Sequence, residues 1–185
     1  VIEDEIYARV VAAMSEPHRE YHTMRHLAEM FMLAHLRGLR LSDEQIYAIC
    51  LHDVVYRVPA DKKESNEVAS AKLAREWMSK DFRKGFVERV CQIILDTEKE
   101  LPTIPDSKLV IDLDLAGLAL NYWQNRILIR QEFSCVDDDA FYAGRFKWIQ
   151  SMLARDSIFV SGRFSDLERA AVENLKAELQ MLEKN

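Results

Sequence analysis

Apolar residues recur at helical spacing along almost the whole chain. Ile2, Ile6, Val10 and Ala13 lie three or four positions apart, and Pro17 closes that segment. Met24, Leu27, Met30, Phe31 and Ala34 mark one side of a second helix over 22–36, with Gly38 as its stop. Ser42 followed by Gln45 is a capping box, which opens a third helix carrying Ile46, Ile49, Cys50 and Val54. The polar run 57–66 reads as a loop, and helices follow over 66–80 and 84–97. A second loop, 101–107, holds two prolines. The stretch 112–135 reads as helical with a break near Gly117, and 138–155 and 165–182 complete the set. The expected architecture is a compact all-α bundle in one domain over 1–185.

Composition agrees with this reading and narrows the chemistry. A chain of 185 residues fits one domain and can bury a core without disulfides. Gly (5) and Pro (4) are too scarce to punctuate an all-β fold. A net charge of -6 leaves no basic excess for a nucleic-acid duplex. No apolar run reaches the ~18 residues of a membrane span. The odd, scattered set Cys50, Cys91 and Cys135 reads as small buried hydrophobes in a reducing, cytoplasmic setting. Trp77, Trp123 and Trp148 read as packing residues. The oligomeric state is open, with a homodimer as one arrangement.

The histidines are distributed unevenly. All five (His18, His22, His26, His35 and His52) precede residue 53. His22 and His26, four apart, would face the same side of a helix, since four residues turn about 400°. His52 and Asp53 are adjacent near the end of the third helix, where both can flank one ion. Imidazole and carboxylate together suit a divalent transition metal such as Mn, Fe, Co, Ni or Zn. Asp112 and Asp114 stand in an apolar run, where buried carboxylates need partners or an ion. Asp112 could cap a helix opening at Leu113, which leaves Asp114 unexplained.

The ordered set His26, His52-Asp53 and Asp114 resembles the HD-domain superfamily of metal-dependent phosphohydrolases. The segments 21–27, 52–56, 65–71 and 112–116 are similar to a small bacterial branch described as HD phosphohydrolases, and the resemblance extends over about 19–180. It implies an all-α HD-type domain with His26, His52, Asp53 and Asp114 as ligands of one divalent metal, and Asp112 in reserve. Segment 21–26 also resembles the Tyr-His-Asn-x-x-His signature of cyclic nucleotide phosphodiesterases, which makes His22 a general-acid candidate. Thr23 departs from that signature. Arg57 stands where the branch usually has an acidic residue, and no histidine follows the fifth helix. The expected reaction is hydrolysis of a small phosphorylated molecule, a nucleotide among the candidates, by metal-activated water. Asp53 would hold metal and water. Glu67 would orient the water, or merely complement a helix dipole. Arg25, Arg57, Lys62, Arg130 and Arg145 are candidate phosphate clamps. Two other readings stand beside this one, a non-catalytic HD-like regulatory domain that binds metal or a ligand, and a plain structural bundle.

Overall fold

The structure, a computed structural model, describes residues 2–61 and 63–184. Among these the chain is all-helical: α1 (Asp4–Met14), α2 (Met24–Leu36), α3 (Asp43–Leu51), α4 (Asn66–Met78), α5 (Lys84–Thr97), α6 (Ser107–Leu115), a short 3₁₀ turn (Ala116–Leu118), α7 (Tyr122–Glu132), α8 (Asp138–Leu153) and α9 (Ser165–Leu182). Lys62, one of the candidate clamps, lies outside the described residues.

Local chemistry sets most boundaries. Ser42 and Gln45 form the expected reciprocal cap of α3. Ser65 accepts from the Val68 N–H at the start of α4. Gly38, at φ +63°, ends α2 in the left-handed conformation that costs glycine nothing. Gly117 lies in the 3₁₀ turn for a steric reason. A Cβ there would stand 2.9 Å from Asn125 Nδ2 and 3.0 Å from the Tyr21 hydroxyl. Asn121 then takes a left-handed φ of 55°, which asparagine tolerates, and the chain re-enters helix as α7.

Helices α3 and α5 form the centre. α3 buries Tyr47, Ala48, Ile49, Cys50 and Leu51, and α5 packs Val87, Val90, Ile93 and Ile94 between α3, α4 and α6. Buried apolar residues from α1 to α9 form one continuous cluster. α8 differs, since its sixteen residues bury only Ile149 and Met152 near its end. Cys50 and Cys91 are buried, but Cys135 is exposed, contrary to the sequence reading.

The helix holding Asp114 begins five residues before Asp112, so Asp112 is no cap. It lies fully buried in mid-helix and accepts from the Val160 N–H (2.7 Å), the Ser161 N–H (2.9 Å) and the Ser161 hydroxyl. Both its oxygens are occupied in holding the segment between α8 and α9. This removes Asp112 as the reserve metal ligand.

Candidate metal centre

Three helices deliver His26, His52 and Asp114 to one point, and Asp53 borders it. His26 stands in the first turn of α2, His52 caps the end of α3 with Asp53 after it, and Asp114 lies near the end of α6. One ligand atom from each of His26, His52 and Asp114 lies within 4.8 Å of the other two. Asp114 Oδ1 is 3.0 Å from His26 Nε2 and 3.7 Å from His52 Nε2. Asp53 Oδ2 is 3.0 Å from His52 Nε2 and 4.0 Å from His26 Nε2.

The tautomer of His52 suits a ligand. Its Nδ1–H donates to the Ile49 carbonyl at 2.8 Å, which leaves Nε2 with a lone pair facing the cluster. His26 and His52 are 3% and 2% exposed, and the Nε2 atom of each is buried without a hydrogen-bond partner. An orphaned buried nitrogen costs roughly 1–3 kcal/mol. Two of them aimed at a pair of carboxylates form a donor set that fits a divalent transition ion.

Electrostatics point the same way. Burial opposes ionisation of Asp53, yet the His52 and His22 rings hold its carboxyl down to about 2. Asp114 is also held well below the usual carboxylate range, against burial, by His26 and His52. Burial disfavours a charged His52, but Asp53 and Asp114 outweigh it and raise its pKa well above the ordinary value. The two carboxylates stay ionised and draw positive charge onto His52, the charge a cation would otherwise bring.

A cavity of about 520 Å³ opens beside this cluster. His52, Asp53 and Asp114 line it, with His22, Tyr56 and Glu67. His22 precedes α2 and does not share its face with His26, because Thr23 is the cap residue. It is held from elsewhere. Its Nδ1–H donates to Glu132 Oε2 at 2.6 Å, and its ring stacks on Tyr56 at 3.9 Å. The other oxygen of Glu132 accepts from the Glu20, Tyr21 and His22 N–H groups at 3.0–3.3 Å. Burial lowers the His22 pKa, but Asp53 and Glu132 together raise it above the ordinary histidine value. Burial likewise pushes the Glu67 carboxyl up.

Arg19 ties the two histidine segments together. It is 5% exposed and donates to the carbonyls of His22 (3.2 Å), Asp53 (2.7 Å) and Val54 (3.2 Å). Neither Arg19 nor Glu132 stood out in the sequence. The only available sign was a charged residue amid an apolar or helical run, which most surface residues share.

Of the candidate clamps, Arg145 lines the cavity, and so does Arg126, which the sequence reading passed over. The other described ones do not. Arg25 pairs with Glu29 at 2.8 Å on the exposed side of α2. Arg57 faces Glu64 at 3.6 Å. Arg130 pairs with Asp138 and donates to the Phe133 and Val136 carbonyls, pinning the α7–α8 turn. Each has a nearby acid one helical turn or one tight loop away, which binds it locally. Trp77 and Trp148 pack against the core as expected, Trp148 also lines the cavity, and Trp123 is 39% exposed. His18 bonds the Tyr56 carbonyl, and His35 is exposed.

No protein-family model, curated protein or solved structure matches the chain. No helix among the described residues is long and apolar enough to cross a membrane.

Proposed function

We propose that this protein is a metal-dependent phosphohydrolase of the HD-domain type, acting on a small phosphorylated molecule. The observation that carries the reading is the pair of partnerless Nε2 atoms of His26 and His52 facing Asp114 and Asp53 at the edge of a cavity. His26, His52, Asp53 and Asp114 would hold one divalent ion. Such an ion supplies Lewis-acid stabilisation of phosphoryl oxygens and a water acidified toward pH ~7.

The chain's own residues supply the proton transfers. Glu132 fixes the His22 ring through Nδ1, which leaves Nε2 to deliver a proton to the leaving oxygen. The raised His22 pKa keeps that proton available near neutrality. Glu67, made more basic by burial, accepts a proton from the attacking water while Asp53 orients it. Tyr56 and Arg19 keep His22 from turning away.

The alternative is a regulatory domain that binds metal or a ligand without turnover. It draws on Glu98 and Glu100, which line the cavity where the HD-like branch carries a histidine. One experiment separates the two. Purified protein should carry about one divalent metal per chain and hydrolyse some member of a metal-supplemented panel of phosphomonoesters, phosphodiesters and pyrophosphates. His52→Ala should lose both. Metal binding with no turnover on any member supports the regulatory reading, and parental metal content in His52→Ala refutes both.

A further inference from the structure

At the end of the cavity formed by α7 and α8, two guanidinium groups share one carboxylate from α9. Glu178, 1% exposed, accepts from Arg126 Nε at 2.9 Å, from Arg145 Nη2 at 3.2 Å and from the Tyr122 hydroxyl. One positive charge would have neutralised this buried acid, so the second leaves the cluster net positive. Arg126, Arg145 and Tyr122 all line the cavity. The Arg126 side chain is 28% exposed and engages a protein acceptor among the described residues only through Nε, so its terminal nitrogens remain to bind a ligand. Arg145 lies 4.5 Å over the Trp148 ring, which fixes its plane. Glu100, which also lines the cavity, is already matched by Arg155 at 2.7 Å.

The spacing along α7 sets a length. Arg126 and Glu132, which holds His22, are six residues apart, or about 9 Å along the helix axis. Ile129 lies between them, and Phe133, Phe141 and Trp148 continue an apolar wall. These residues also account for the few core residues of α8, since its Ala140, Phe141 and Trp148 line this space.

We infer that Arg126 and Arg145 form a subsite for a second anionic group of the substrate, a carboxylate or a further phosphoryl group, held across an apolar segment from the reacting phosphoryl. This inference rests on the hydrolase reading for the identity of the reacting group, but its test does not depend on turnover. Calorimetry on the metal-loaded protein compares benzylphosphonate with 4-carboxybenzylphosphonate and with 4-phosphonobenzylphosphonate. The doubly anionic probes should bind about 10–100-fold more tightly than benzylphosphonate, the range expected for charge-assisted hydrogen bonds. That preference should weaken with added salt. In Arg126→Gln, which keeps a donor for Glu178, most of the preference should vanish. A preference for only one of the two tells a carboxylate from a phosphoryl site. Equal binding of all three probes, or a preference unchanged in Arg126→Gln, overturns the inference. A preference in binding without hydrolysis of phenyl phosphate or 4-carboxyphenyl phosphate counts against the hydrolase reading and leaves the subsite standing. Hydrolysis of both with equal kcat/KM has the opposite consequence.

Discussion

The His22–Glu132 pair concentrates the chemistry that a single residue can test. Glu132 both orients the ring and raises its pKa, together with Asp53 and against burial. If His22 donates the proton, His22→Ala should keep its metal and lose roughly 10²–10⁴ in rate on an ester with an alkoxide leaving group. The loss should be smaller on p-nitrophenyl phosphate, whose leaving group needs no proton. Glu132→Gln should leave metal content intact and move the alkaline limb of the pH–rate profile to lower pH. The sign follows from the role: a general acid works while protonated, activity falls as pH passes its pKa, and removing the carboxylate lowers that pKa. An unmoved alkaline limb would assign the proton to another donor. At this scale the sequence revealed the ligands and hid their supports. His26, His52, Asp53 and Asp114 stand out as polar residues in apolar helices. Glu132 meets His22 across 110 positions of sequence, and no local pattern encodes such a pairing.

Helix α6 carries two aspartates with opposite duties, one turning inward to the fold and one to the cluster. Asp112 accepts from two backbone N–H groups and a hydroxyl of the segment leading to α9. Asp112→Ala would strand those buried donors and should destabilise the protein by about 3 kcal/mol. Its metal content should stay near parental at a temperature where it remains folded. Asp114→Ala should do the reverse, losing metal, with the loss in melting temperature of the metal-free protein confined to the pH range where a charged His52 loses this partner. Thermal melts and metal analysis of both variants decide the matter, and equal behaviour would show that the assignments are not separable. The helical character of 112–115 was visible in the sequence, but the start of α6 at Ser107 was not. Pro105 and the loop before it drew the boundary too late, so Asp112 read as a cap. The break near Gly117 was legible because glycine announces it. Its cause, the approach of Tyr21 and Asn125, is tertiary.

Across the whole molecule, the all-helical class was open to reading because 3.6-residue periodicity is a local property. The cavity was not, because α7 and α8 look like weak core helices until their apolar residues are seen to face an open space. The charges buried by this arrangement set how stability follows pH. Burial opposes ionisation of Asp96, Glu132 and Glu178. Ser107 and Thr103, then His22, and then Arg145 respectively outweigh it and hold their pKa values below the ordinary range. Their contribution is fully present above the unfolded carboxylate pKa of about 4 and is lost as pH falls through the folded values. On the acid side, the melting temperature should therefore decline steeply only below about pH 4. Glu178→Gln should flatten part of that decline, because it removes one of the titrating groups. An acid limb identical to the parent's would mean Glu178 is already protonated in the folded state.

The metal cluster makes the opposite limb conditional on the ion. In the metal-free protein, Asp53 and Asp114 raise the His52 pKa well above its ordinary value. A group with a raised folded pKa contributes its full stability below the unfolded pKa, about 6.5 for histidine, and loses it as pH rises through the folded value. The metal-free protein should thus be most stable in mildly acid solution, between about pH 4 and 6.5, and weaken toward alkaline pH. A divalent ion replaces those protons and needs the imidazoles neutral, so it binds better as pH rises. Free metal at a hundred times its Kd stabilises the folded state by about 2.7 kcal/mol. For a chain of 185 residues that corresponds to a rise of roughly 5–10 °C in Tm. The rise should be largest above pH 7, shrink below pH 6 and be absent in His52→Ala. A chelator should restore the metal-free profile. A shift of equal size at all pH values, or one that persists in His52→Ala, would place the ion somewhere other than His26, His52, Asp53 and Asp114.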